Sequence, residues 1–128
     1  MADRVIWAGH RSDLPVVVNA LDIHCSASAF GEGFSNAVAE TMAAGIPNVV
    51  TDVGDNARIV GDLGKVVAPG DPGALARACG ELIALGESGR RALGALCAAR
   101  IVAEFSRSKL IEQMAEIYRA QAEGGHRR

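Results

Sequence analysis

The sequence has no excess of either charge: 13 basic and 15 acidic residues leave a formal net charge of −2 over 128 residues. Such a balance excludes the electrostatic footprint of a nucleic-acid binder and offers nothing to an anionic membrane surface. No apolar run approaches the ~20 residues needed to span a bilayer. Met1-Ala2-Asp3-Arg4 leads directly into strand-like sequence, without the apolar segment of a secretory signal. Cysteine is sparse, and Cys25, Cys79 and Cys97 fit no zinc spacing. All three lie in apolar company and are expected as small buried hydrophobes of a reducing compartment, so the expected location is cytoplasmic. Internal repeats, linkers and low-complexity stretches are absent too. The length suits one domain with a real core, assigned to residues 1–122, followed by a polar tail at 123–128 that ends in the basic His126-Arg127-Arg128.

What is there is an alternation of short apolar runs and helical patterns. Val5-Ile6-Trp7-Ala8, closed by Gly9, is expected as a buried strand. Ser12 or Asp13 can cap a helix to about Leu21, with Pro15 in its first turn. Asp22–Ser26 is expected as a second strand, and a small-residue loop then leads into a helix from about Phe34 to Ala44, closed by Gly45 and Pro47. Asn48–Thr51 and Lys65–Ala68 are the third and fourth strands, with a turn at Val53–Asn56 between them. Beyond Pro72 the pattern is helical. Stripes form at Leu75/Ala78/Cys79/Leu82/Ile83, at Leu93/Leu96/Cys97/Ile101 and, after a Ser106 cap, at Leu110/Met114/Ile117/Tyr118. The expected fold is α/β: a partial Rossmann-like domain with a short parallel sheet of about four strands, flanking helices and a helical C-terminus.

Ligands of open α/β sheets bind at the carboxyl ends of the strands. The loop Ser26–Asn36 belongs there, at a helix N-terminus whose free N–H groups and dipole favour phosphate. Gly31 and Gly33 let a ligand approach the backbone closely. At 100° per residue Phe34, Ala37, Val38, Thr41 and Met42 share the sheet-facing side of the helix, whereas Asn36 and Glu40 fall on the other side beside Ala39 and Ala43. Glu40 would stand roughly 10 Å along the axis from the helix start, within reach of a ribose whose diphosphate is anchored there. Periodicity by itself leaves a simpler alternative open, in which Glu40 is solvated and Glu32 merely faces the helix dipole. His10, His24, Asp52 and Asp55 are weaker candidates, more simply structural or turn residues, and Trp7 and Tyr118 are expected in packing.

The run Glu32-Gly33-Phe34-Ser35-Asn36-Ala37-Val38-Ala39-Glu40-Thr41-Met42-Ala43-Ala44-Gly45-Ile46-Pro47 resembles the E-x7-E signature of group 1 glycosyltransferases, retaining enzymes of the GT-B fold. The similarity continues through Val50–Asn56, Gly64 and Pro69–Pro72 to Phe105-Ser106, and reaches back to Gly9, Asp13 and Asp22. The resemblance implies transfer of a hexose from a nucleotide-diphosphate sugar with retention. It makes Glu32 the catalytic-site residue that hydrogen-bonds donor-sugar hydroxyls, and Glu40 the ribose ligand. Gly33, Phe34 and Ser35 would meet sugar and phosphates through their amides, Asn36 and Ala37 the diphosphate, and Gly9, His10 and Arg11 the base. No metal and no cofactor besides the donor substrate are implied. The acceptor, a sugar, lipid or polysaccharide, would be held by an N-terminal domain, and peripheral membrane association of a full enzyme is compatible with the resemblance.

Two departures matter. The family's donor domain opens with strands carrying a basic pair that neutralises the diphosphate, and no Lys or Arg stands at a matching place here. The sequence is accordingly expected to be the C-terminal portion of a larger enzyme, a donor half-site that is catalytically incomplete alone. Two rivals remain: a non-catalytic binding or assembly domain of the same fold, and a dinucleotide-binding fragment. The second rests on Gly31-x-Gly33-x-x-Asn36 with Asp52 beyond it, but it leaves Glu40 without a task.

Overall fold

The computed structural model describes residues 2–124; His126-Arg127-Arg128 and the rest of the tail beyond Gly124 lie outside the described residues. Three parallel strands, β1 (His24–Ser26), β2 (Asn48–Thr51) and β3 (Lys65–Val67), lie in the order β1-β2-β3. Cys25 pairs with Val49 and Val50 with Val66, which places every strand end on the same side. All four residues of β2 are buried, as a central parallel strand covered on both faces must be.

Among the described residues there are six α-helices: α1 (Leu14–Asn19), α2 (Asn36–Ala43), α3 (Asn56–Val60), α4 (Pro72–Ala84), α5 (Gly86–Phe105) and α6 (Arg107–Gly124). Val38 and Met42 of α2 pack with Val50, Ile59, Val60, Cys97 and Ile101 on one face of the sheet. Val49 meets Ala78 and Leu82 of α4 on the other. Burying a side chain such as Leu82 stabilises by about 1.5–3 kcal/mol. α5 crosses close to the end of α2. A methyl group on Gly94 would come within 1.9 Å of the Gly45 carbonyl oxygen, so only glycine permits this crossing. Arg100 of α5 donates to the carbonyls of Ile59 at 2.9 Å and Arg58 at 2.8 Å, closing the C-terminal end of α3.

Several expectations are corrected. Val5–Ala8 is not a strand: Ile6 and Trp7 are 89% and 91% exposed, because the segment pairs with no strand and no helix covers it among the described residues. Among the described residues the sheet therefore has three strands, not the expected four or so. α1 is shorter than expected, and Asp13 caps it without a side-chain hydrogen bond because its carboxylate is bound to Arg11 instead. α3 follows where only a turn was expected. It is five residues long, too short for periodicity to register, yet it buries Asn56, Ile59 and Val60. The stripe of α6 is not buried, for Leu110, Met114, Ile117 and Tyr118 all stay exposed, with no layer over them among the described residues. Cys25 is exposed on the edge strand, Cys79 is half-buried, and only Cys97 is fully interior.

Candidate functional site: the loop between β1 and α2

The loop from Ala27 to Ser35 is held by three contacts. Thr51 Oγ1, at the end of β2, donates to the Ser28 carbonyl at 2.7 Å. The Ser28 hydroxyl donates to Glu32 Oε1 at 2.6 Å, so the half-buried carboxylate is fixed in orientation. The Asp55 amide donates to the Gly33 carbonyl at 3.0 Å. Gly54 makes the last contact possible. It adopts φ +59°, and a Cβ there would lie 2.5 Å from the Glu32 carbonyl oxygen and 2.6 Å from that of Gly33. In the sequence Gly54 belongs to the Val53–Asn56 turn and to the Val50–Asn56 run of the family resemblance, neither of which points to the Glu32 loop. Its partner in space is 22 residues away, and local pattern carries no signal for that.

In front of the loop there is room. A Cβ on Gly31 or on Gly33 would meet nothing within 4 Å. Gly31 needs glycine for its φ of +81°, whereas Gly33 has an ordinary backbone and is open for another reason. The Ser35 hydroxyl makes no cap hydrogen bond although Ser35 precedes the first turn of α2. The first N–H groups of α2, those of Asn36 and Ala37 among them, thus lack a side-chain acceptor, the condition under which a helix start holds an anion.

α2 begins at Asn36, two residues later than expected, so Glu40 stands about 6 Å from its start and not the expected distance. Val38, Thr41 and Met42 are buried, and Asn36 and Glu40 share the exposed side as the periodicity requires. Ala37 is exposed, not sheet-facing, and Ala39 packs on the core instead of lying beside Glu40. Phe34 precedes the helix and packs against Phe105 with the rings tilted by 50° and their centroids 5.6 Å apart, and it is 42% exposed. Glu40 lines a cleft of about 500 Å³ between α1 and α2, with Ser12, Leu14, Pro15 and Val18 on the opposite wall. The apolar wall and single carboxylate suit a ring system bearing a diol.

The structure does not bring every expected residue to this cleft. Gly9, His10 and Arg11 are exposed and do not line it. The Arg11 guanidinium forms a fork with both carboxylate oxygens of Asp13 at 2.8 and 2.6 Å, holding that carboxyl below its usual range. His24 is structural: its Nδ1 shares a 2.5 Å hydrogen bond with Asn48 Oδ1, which also accepts from Thr41. Asp55 is drawn into a salt bridge with Arg58 at 2.9 Å. Among the described residues no three His, Cys, Asp or Glu side chains gather as metal ligands, and no helix is long and apolar enough to cross a membrane.

This geometry meets a match in the family model of glycosyl transferases group 1, which covers residues 1–84. The chain belongs to the group 1 glycosyltransferases. Sucrose-phosphate synthase from Thermosynechococcus elongatus superposes with a TM-score of 0.81 at 28% identity, over 95% of this chain and 31% of that one. A glycosyltransferase from Rickettsia africae gives 0.79 at 23% identity, over 88% of this chain and 30% of that one. Anabaena HepE, crystallised with UDP, gives 0.82 at 24% identity, over 93% of this chain and 33% of that one. The last two show the shared fold alone. The chain spans about a third of the length of the solved structures it matches. No curated protein matches it.

Proposed function

We propose that this chain binds the nucleotide-sugar donor of a retaining hexosyl transfer, with Glu32 on the sugar and Glu40 on the ribose. The single observation that carries this reading is the placement of the two carboxylates. Glu32 is held by Ser28 beside an open glycine loop, and Glu40 lies one helical turn inside α2 in the α1–α2 cleft. Between them stands the uncapped start of α2, where the diphosphate would lie against the amides of Asn36 and Ala37. Gly33, Phe34 and Ser35 supply the backbone facing the sugar. HepE, of the same fold, was crystallised with UDP and with UDP-glucose, which supports a uridine or similar nucleotide here. The reading includes no metal and places the protein in the cytoplasm.

Arg11 favours a second reading for the isolated chain. It does not line the Glu40 cleft and is paired with Asp13 at 2.6 Å, so it brings no cation to a departing diphosphate, whose rapid transfer needs one. A donor-binding domain that does not turn over by itself fits that pairing. Calorimetry of the chain with UDP, GDP, ADP and NAD tests the donor-site reading against the dinucleotide rival. Saturable binding of one nucleoside diphosphate is expected. Preferential binding of NAD, or of nothing, would overturn the donor-site reading.

A further inference from the structure

Cys25 and Cys79 meet on one face of the sheet, and Cys97 lies on the other. Side chains alternate along a strand, and partners in a parallel ladder share a face. His24 points toward α2, where its Nδ1 bonds Asn48 Oδ1, which also accepts from Thr41. Ile23 and Cys25 therefore point the other way. Cys25 stands opposite Val49 in the ladder, and Val49 packs with Ala78 and Leu82 of α4, joined there by Ile23 and Cys79. The phase of α4 brings Cys79 to the β1 side. At about 100° per residue Leu75, Ala78 and Leu82 form the stripe on the sheet, with Glu81 on one flank and Cys79 on the other. Glu81 reaches Lys65 of β3 at 2.6 Å, so the flank with Cys79 lies toward β1.

The two thiols differ in access. Cys25 is exposed at the edge of the sheet and Cys79 is half-buried behind it. They also interact: burial, then the charge of Cys79 and a hydrogen bond with it, push the Cys25 thiol up to about 11. Cys97 packs with Val38 and Val50 across the sheet, its Sγ directed to the Leu63 carbonyl at 3.7 Å. One thiol open to a reagent and a second adjoining it are the two parts that thiol–disulfide exchange requires.

We propose that Cys25 and Cys79 are a site of oxidative modification, cross-linked by a low-molecular-weight disulfide such as oxidised glutathione into a bond that ties β1 to α4. Cys25 loses its proton to solvent, and its thiolate attacks one sulfur of the small disulfide, expelling the other as a thiolate. Cys79 then loses its proton and displaces the second thiolate from the mixed disulfide, closing the Cys25–Cys79 bond. The protein gives up two electrons and two protons, and one small disulfide becomes two thiols. Thiols that ionise with difficulty attack slowly and leave slowly, so the bond forms and breaks slowly. In a reducing compartment the pair stays open and closes only under oxidative load. The bond would fix an edge strand that pairs on one side only, three residues before Ser28, at the root of the loop that carries Glu32. The pair stands whether or not that loop binds a nucleotide.

The test is incubation of the folded full chain with oxidised glutathione at mildly alkaline pH, read by intact mass, peptide mapping and thermal melts. The expected product has lost two hydrogens, contains a Cys25–Cys79 linked peptide and keeps Cys97 free. Its melting temperature should rise by roughly 5 °C or more, and dithiothreitol should restore the starting mass and melt. Cys79→Ala should stop at a stable glutathione adduct on Cys25, because no second thiol displaces it. Cys25→Ser changes only an exposed side chain, so it should keep the melt of the reduced wild type and form no cross-link, which keeps the test open if Cys79→Ala fails to fold. The pairing is overturned by a persistent glutathione adduct on wild-type Cys25, by a disulfide between two copies of the chain, or by a link that includes Cys97. It is overturned equally by a cross-linked chain that melts no higher than the reduced one, or by no change of mass where the unfolded chain is oxidised.

Discussion

Gly54 touches the backbone of Glu32 so closely that no side chain fits between them: a Cβ on Gly54 would lie 2.5 Å from the Glu32 carbonyl oxygen. The turn after β2 therefore sets the position of the loop after β1. Gly54 is also left-handed, with φ +59°. Gly54→Ala is expected to destabilise by about 1–3 kcal/mol through strain alone, and to displace Glu32 as well. Gly33→Ala is the contrasting variant. Its backbone is ordinary and its surroundings empty, so thermal stability should hold while donor binding weakens. Thermal melts and UDP titrations of both variants separate support of the loop from room for the ligand. Equal stability losses in the two would contradict this division.

Ser28 is expected to act through Glu32. Ser28→Ala removes the 2.6 Å hydrogen bond to Oε1 and leaves the carboxylate free to rotate. The loss should be about 1 kcal/mol of stability, UDP affinity should persist, and the additional affinity of UDP-glucose over UDP should shrink. A variant that loses UDP affinity as well would show that Ser28 supports the whole loop instead.

The crossing of α5 over the end of α2 depends on Gly94. Gly94→Ala would drive a methyl group into the Gly45 carbonyl, 1.9 Å away, and overpacking of this kind costs about 1–3 kcal/mol. A denaturant midpoint unchanged from the wild type would refute it.

The thiols supply a pH prediction. Burial pushes Cys25 up from 9.0 to about 11, and the neighbouring Cys79 thiol adds to the rise. Ionisation is thus harder in the folded protein than in the unfolded chain. The stability that results is intact below pH 9.0, declines through the window up to about 11, and is gone above it. Alkylation of Cys25 by iodoacetamide should remain slow at pH 8 although the residue is exposed, because the thiolate is the reactive species. Rapid modification at that pH, without unfolding, would contradict the shift.

Much of this was legible in the sequence, for reasons that particular residues make plain. β2 carries the apolar pair Val49-Val50, which parallel pairing buries one on each face, and α2 announces itself through Val38, Thr41 and Met42 at helical spacing. The same phase put Asn36 and Glu40 on one exposed side. Periodicity cannot distinguish a stripe that is covered from one that is not, so Leu110, Met114, Ile117 and Tyr118 were expected inside and lie outside. Val5–Ala8 failed in the same way, since an apolar run becomes a strand only when a neighbour accepts its hydrogen bonds. The contacts that fix Glu32 were not legible at all. Thr51, Gly54 and Asp55 reach the loop across more than 20 residues, and only the folded sheet brings them there.

Calorimetric titration of the wild type and Glu40→Ala with UDP is the decisive measurement. Glu40 is exposed on its helix and lines the α1–α2 cleft. Its truncation should leave the melting temperature unchanged and reduce UDP affinity by at least tenfold, since two hydrogen bonds to an ionised carboxylate are worth about 1.5–3 kcal/mol each. Unchanged UDP binding by a folded Glu40→Ala protein would remove the ribose from Glu40 and the donor from this site.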